Sequence, residues 1–482
     1  PVKVNVAANH LNDYIFEPIT PTESRKAKLI SALEGSSNPL SISDQWIYAY
    51  SGTNYSDWQY LGDNFDLLPG EGFTMKGVNG VNPDIIESQS VNSGSAQVYD
   101  FRGIPNDGRI ELPIKKDQII LVGNPYPSAI NLDKFLFENT NTTGIAYFWD
   151  SKKNGNSHYL SDYEGGYGTY SPGTGVYLPP IFKKYSNGAE TGEKGDYYPR
   201  KMSPIAQGFM VMGKTEGKVI FQNSQRIYQK EAAGISELKS PETSSYLKLN
   251  IELDTTYIRQ LVLAFNKNAT PDEDFAMDAR KMDQNPSDIS WLISNEDYLI
   301  DARPRIDGDL IPLHISLNRE SDLKFSLEEL NNFNPDRLFI YDSKDDLYFS
   351  IKTGYYKIKL PPGDYKDRFF LSFIEKLPAG TPTTDNLTTD QSSFKQPNIL
   401  LNTIDIFQNN IQQQLEIKIL YDSGIRDISL YDLNGKLFFS KNFRSKEKEF
   451  SLPTENLSNA VYIVKVITSD NRELTKKIGV KN

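Results

Sequence analysis

Cysteine is absent from this chain of 482 residues. Its absence excludes disulfide bonds, cysteine–zinc sites and thiol catalysis, and leaves secretion open. Histidine is scarce. His10, His158 and His314 are scattered, and none has a metal-ligand neighbour at helical or hairpin spacing, so structural or solvent roles are expected for all three. Positive charge is in deficit, with 52 Lys and Arg against 63 Asp and Glu and a net charge of −11. Nucleic-acid binding depends on clustered Lys and Arg, so no nucleic-acid partner is expected. No apolar run approaches the ~20 residues that a membrane-spanning helix needs. The His-Glu-x-x-His, Gly-x-Ser-x-Gly, Walker and Gly-x-Gly-x-x-Gly motifs are all missing.

What is present is aromatic and heavily punctuated. There are 25 Phe, 28 Tyr and 4 Trp, with 32 Gly and 27 Pro. Tyr and Phe favour pleated, half-buried surfaces. The composition reads as all-β, with tandem β-sandwich domains, and the length suggests about three of them. The start, Pro1-Val2-Lys3, carries neither an initiator Met nor a signal peptide. It is expected to be a cut, with more protein upstream.

Residues 1–235 are expected to form a first sandwich. Thr20-Pro21-Thr22-Glu23 has the form of a capping box, with Gly35 as a stop, and predicts a short helix. An internal echo relates Leu68–Gly77 to Ser203–Gly213, each preceded by an aromatic strand, Trp46–Tyr50 and Tyr147–Trp149. Two related β-layers of one sandwich are the simplest account. Between the copies lies Gly123-Asn124-Pro125-Tyr126-Pro127-Ser128, an extended turning loop after a buried strand. A short helix should follow, capped by Asn131, with Leu132, Phe135 and Leu136 facing inward.

Residues 244–376 are expected to form a second sandwich, in which Ser326-Leu327-Glu328-Glu329 hints at one helical turn. Residues 377–396, rich in Pro, Thr, Asp, Ser and Gln, read as a flexible linker. Residues 397–482 read as an Ig-like seven-strand sandwich. Leu415, Ile417 and Ile419 alternate with Glu416 and Lys418, and Asn434-Gly435 is a strong hairpin signal.

Candidate chemistry is thin. Asp272, Asp274 and Asp278, with Glu273, and separately Asp342, Asp345 and Asp346, could offer oxygen ligands to calcium. Neither cluster fits a loop with Gly at its sixth position, and turn residues on solvated faces explain both. No cofactor is expected. Tyr159, Tyr163, Tyr167, Tyr170 and Tyr177 lie in a Gly-rich stretch and could stack on sugar rings. Carboxylate pairs for glycoside hydrolysis cannot be picked out among so many acids, and no enzyme is expected within these residues.

The end of the chain carries the strongest signal. Val461–Val466, a turn and Thr475–Asn482 follow the upstream hairpin Ile428–Leu437. This resembles the type A carboxy-terminal sorting domain of the type IX secretion system of Bacteroidota. The residues that carry the resemblance are Gly435, Tyr462, Val464, Lys465, Lys476, Lys477, Ile478 and Val480. The family usually has Gly where Asn459-Ala460 stands here. The 123–128 loop, the Tyr147–Asp150 strand and the Gln207–Val211 strand also resemble a module found before such sorting domains in large surface proteins of that phylum. That second resemblance covers most of residues 40–225 and implies no catalytic residue.

The resemblance implies an exported, cell-surface or secreted protein, recognised by the outer-membrane shuttle barrel and handed to a cell-surface sortase-like protease. It implies a membrane-proximal part of an adhesin or gliding-motility protein. The alternative is a carbohydrate-binding region of a secreted polysaccharide-degrading enzyme whose catalytic domain lies upstream. Asp254-Thr255-Thr256 matches the short O-glycosylation sequon of the same phylum, which makes Thr255 a candidate for modification.

Overall fold

The computed structural model describes residues 2–3, 15–62, 67–78, 97–152, 164–184, 190–228, 244–375 and most of 404–480, short gaps aside. The fold is all-β. Two compact units make up the chain, Pro1–Pro378 and Ala379–Asn482. The expected linker at 377–396 lies outside the described residues.

Two large sheets build the first unit. The first has nine strands, in the order Glu190–Lys194, Ile181–Lys184, Glu164–Ser171, Ala146–Ser151, Gly208–Met212, Ile119–Gly123, Tyr48–Gly52 and Trp58–Tyr60, with Val176–Leu178 paired to Glu164–Ser171. Its middle strands are buried on both faces, and strand alternation decides which residue goes where. Ile119, Tyr147, Met210 and Met212 face one core. Ile120, Val122, Phe148, Phe209 and Val211 face another. That second core is closed by the antiparallel pair Ile110–Ile114 and Gly217–Phe221, far apart in sequence, and by the one α-helix among the described residues, Leu132–Glu138. Asn131 caps the helix by accepting the Lys134 backbone N–H at 2.9 Å, and Leu132, Phe135 and Leu136 are buried.

The second sheet has eleven strands. Its order runs from Leu347–Ser350 through Phe339–Asp342, Gly363–Ser372, Leu310–Leu317, Asp288–Ile293, Glu296–Arg303, Tyr257–Phe265, Ser245–Leu253 and Ser321–Asn331 to Tyr355–Leu360, with Ala279–Arg280 paired to Glu296–Arg303. The sheet curls over itself: Phe349 of one end strand stacks on Tyr356 of the other, with ring centroids 3.9 Å apart. Trp291 is fully buried within the curl and donates from Nε1 to the Val262 carbonyl at 2.9 Å.

One hydrophobic cluster joins the two sheets, running from Tyr50, Ile119, Tyr147 and Met210 into Leu249, Val262 and Leu299. The segments 1–235 and 244–376, expected as separate sandwiches, are therefore layers of one compact unit. Each covers an apolar sheet face of the other.

Three local expectations fail for tertiary reasons. The 20–35 helix is not formed. Ser24–Lys26 and Lys28–Ile30 are strands, with Ala27 buried and its N–H bonded to the Ile15 carbonyl at 2.9 Å. A capping signal is a weak local preference that pairing overrides. Ser326–Glu329 likewise lies inside the Ser321–Asn331 strand, at a register shift opposite Lys248 and Leu249. The two echo copies are not two layers either, since both flank the same strand. Phe209 pairs with Val122 on one side, and Glu71 bridges Val122 on the other. Gly72 is needed there, because a Cβ would sit 2.8 Å from the Val122 carbonyl oxygen.

The second unit is a two-sheet sandwich of seven described strands. One sheet orders Ile404–Asn409, Gln414–Ile419 and Glu449–Pro453; the other orders Leu437–Asn442, Ile425–Asp432, Ala460–Thr468 and Glu473–Val480. Its core contains Leu415, Ile417, Ile428, Leu430, Tyr462, Val464, Val466, Ile478 and Val480.

Candidate functional site

A cleft of about 540 Å³ opens in the first unit where its two sheets diverge. Strand alternation places Trp149 on the same face as the core residue Tyr147, but further along, where the second sheet no longer covers it. Trp149 is 44% exposed. It pairs across the ladder with Tyr167, with ring centroids 5.0 Å apart at 69°. Gly165 makes room for the indole: a Cβ there would lie 2.3 Å from Trp149 Cζ2. Tyr50 and Trp58, another cross-strand pair with centroids 4.9 Å apart, line the cleft as well. Pro179, Pro180 and Ile181 complete the apolar lining.

The facing wall is polar. Arg259 is buried and grips Asp288 with two hydrogen bonds, Nε to Oδ1 at 2.8 Å and Nη2 to Oδ2 at 2.7 Å. Its Nη2 also reaches Asp283 at 3.2 Å. Lys183, from the first sheet, crosses to Asp283 and to Asn285, the latter at 2.7 Å. Burial pushes the Asp283 carboxyl up, but Arg259 and then Lys183 more than reverse this and hold it well below the usual carboxylate range. Burial likewise opposes the Arg259 charge, and Asp283 and Asp288 outweigh it. Two cations and two carboxylates thus neutralise one another at this wall.

Behind the wall runs a second charged chain. Lys281 lies 3.1 Å from both Asp288 and Asp297. His314 contacts Asp297 through Nδ1 at 2.6 Å and Asp364 through Nε2. Ser290 donates to Asp297 at 2.7 Å. The hydrogen bond to Asp297 is the main reason the His314 pKa is raised; burial lowers it, and Asp364 adds to the rise.

The calcium candidates are used locally. Asp278 accepts the backbone N–H groups of Asp274 and Ala302, each at 2.6 Å. Asp274 accepts the Thr270 hydroxyl at 3.2 Å, and Asp272 accepts the Ser294 hydroxyl at 3.2 Å. Burial pushes the Asp278 carboxyl up to about 8. Among the described residues no group of three or more His, Asp or Glu is arranged to hold a metal ion. In the other cluster, Asp342 takes a bidentate contact from Arg368, at 2.8 Å to each oxygen.

Of the described tyrosines proposed for sugar stacking, only Tyr167 lines the cleft. Tyr170 and Tyr177 are buried in the core beneath the helix, and Tyr170 donates to Asp133 at 2.5 Å. Tyr159, Tyr163, Thr255, His10 and His158 lie outside the described residues.

Trp58, Lys183, Arg259, Asp283 and Asn285 were missed from sequence. One signal was legible: Arg259 interrupts the apolar run Tyr257–Phe265, and a buried strand tolerates a charge only with a partner. The partner could not be read, because Lys183 arrives from the other sheet.

In the second unit, Tyr462, Val464, Ile478 and Val480 point into the core, and the Tyr462 hydroxyl donates to the Ser458 carbonyl at 3.1 Å. Lys465 is half-buried on the opposite face of its strand. Lys476 and Lys477 sit opposite Val464 and Ile463 in the strand that ends the four-strand sheet. Gly435 lies outside the described residues, but the strands flanking it pair antiparallel.

No curated protein matches the chain. A family described as "Domain of unknown function (DUF8694)" matches residues 393–480, within the second unit. A family described as "Domain of unknown function (DUF8693)" matches residues 19–373, which lie in the first unit and span both of its sheets. By that match over most of its length, the chain belongs to the DUF8693 family.

Proposed function

We propose that this is a non-enzymatic cargo of type IX secretion, delivered to the cell surface or the medium, in which the second unit is the export signal. The first unit is then the membrane-proximal body of an adhesin or gliding-related surface protein. The observation that carries the reading is the second unit's compactness, joined to the sorting-domain resemblance of its end. Its signature residues Tyr462, Val464, Ile478 and Val480 all serve its own core. A label built as a separate unit can be read, and cut away, without unfolding its cargo. The Glu473–Val480 strand ends its sheet, and such an edge suits strand addition by a partner. That partner is the outer-membrane shuttle barrel, with a sortase-like surface protease acting after it.

The test compares cells expressing the full chain with cells expressing a version ending at Gln396, followed by intact mass of what reaches the surface. Export of the full chain with periplasmic retention of the short one is expected. Equal export of both sinks the reading. Turnover of any substrate by the purified chain would overturn the non-enzymatic assignment.

A further inference from the structure

We infer that the cleft between the two sheets of the first unit binds a neutral pyranose oligosaccharide. Its volume, about 540 Å³, lies in the range of sites that enclose small organic ligands. Trp149 and Tyr167 give one wall rigid apolar ring surface, on which the C–H faces of a sugar ring pack at low entropic cost. The opposite wall is polar without net charge. Lys183 and Arg259 are held by Asp283 and Asp288, so neither an anion nor a cation gains an uncompensated counter-charge there.

Amide chemistry points the same way. Gln260 lines the cleft at 3% exposure, and its Nε2 has no protein hydrogen-bond partner. The polar wall therefore offers one unmatched amide donor. A hydroxyl both donates and accepts, directly or through a bridging water. An ammonium only donates and cannot satisfy the amide donor, and a carboxylate brings a charge that the already paired Lys183 and Arg259 do not compensate. A polyol with apolar ring faces is the ligand class that matches both walls.

The inference does not depend on export, because the purified chain binds or fails to bind wherever the cell places it. The full chain is titrated with neutral gluco-, manno-, galacto- and xylo-oligosaccharides of two to four units, with an oligouronate as the charged control. Calorimetry gives affinity, and indole N–H resonances report position. At least one neutral oligosaccharide should bind saturably and more tightly than the uronate. The Trp149 and Trp58 resonances should shift while that of Trp291 stays. Trp149→Ala should weaken binding at least tenfold with the unfolding midpoint little changed. Three results overturn the proposal: no binding across the neutral panel at tens of millimolar, equal or tighter binding of the uronate, or binding that leaves the Trp149 and Trp58 resonances unmoved. The resonance readout needs no variant, so it stands even if Trp149→Ala misfolds.

Discussion

The two units solve the same problem, closing a β-sandwich, in different ways. The first unit buries charge. Arg259, Asp278, Asp288, Asp301, Arg303 and Asp342 are all inside it. The second unit buries almost nothing polar: among its described residues only Thr454 is a buried polar side chain. Buried ion pairs stabilise poorly compared with apolar packing, because desolvation consumes most of the Coulomb gain. A unit that carries them is holding polar groups in fixed places rather than maximising stability. In the first unit the Arg259 network forms the polar wall of the cleft. The second unit has a core of Ile, Leu, Val, Tyr and Phe, with no such network among its described residues.

The largest expected effect tests apolar closure of the first unit. Trp291→Ala removes a fully buried indole and leaves the Val262 carbonyl without its donor. A loss of about 3–5 kcal/mol is expected in denaturant unfolding of the full chain. A loss under about 1 kcal/mol would mean that the curled sheet does not close on Trp291.

The sharper test of the comparison is Arg259→Met. It leaves buried Asp288 and half-buried Asp283 without their shared partner, and breaking a buried pair on one side costs about 3 kcal/mol or more. Lys281 and Lys183 remain nearby and keep the cost toward the lower end. If Arg259→Met is neutral, the network positions nothing and the contrast between the units collapses. In the second unit the matching probe is purely apolar. Val464→Ala deletes two methyl groups from the core, with an expected loss of about 2 kcal/mol. A smaller probe is Asn131→Ala, which removes the cap bond to Lys134. It should cost about 1 kcal/mol, read in the same unfolding experiment.

Strand alternation made much of this molecule legible. Leu415 and Ile417, the Tyr462–Val466 series and the helix face of Leu132, Phe135 and Leu136 follow from period alone. What period cannot say is how many faces of a strand are buried. At Tyr147 and Phe148 the Ala146–Ser151 strand is covered on both sides, by partners from segments far away in the chain, so residues 1–235 and 244–376 looked separable when they share a core. The capping signals at Thr20–Glu23 and Ser326–Glu329 misled for the complementary reason: they report local preference, and pairing partners hidden from local reading decided the outcome. In the cleft, Tyr167 was visible as an aromatic in a Gly-rich stretch. The charges opposite it were not, because Lys183 stands in the first sheet while Asp283 comes from a loop 100 residues further along the chain.

The smallest expected effect concerns pH, and it again separates the units, since the titratable cluster involved exists only in the first. His314 lies between Asp297 and Asp364, with Lys281 on the far side of Asp297. Its pKa is raised above 6.5, chiefly by the hydrogen bond to Asp297. Asp297 is held below 3.8, since His314 and its other partners outweigh the burial that pushes it up. A raised histidine stabilises the fold fully below 6.5, and that contribution fades as pH rises through its folded value. A depressed carboxylate stabilises above 3.8 and fades as pH falls through its folded value. Both contributions are therefore complete between 3.8 and 6.5. Unfolding midpoints of the native chain and of His314→Gln, measured across pH, should differ most in that window. The gap should shrink on the alkaline side as the imidazolium is lost, while Val464→Ala gives a gap that does not vary with pH. If the His314→Gln gap instead widens as pH rises, the imidazole is favoured neutral in the fold. A neutral ring carries one N–H and can donate to only one of Asp297 and Asp364, so the three side chains would not then form an ion cluster centred on an imidazolium.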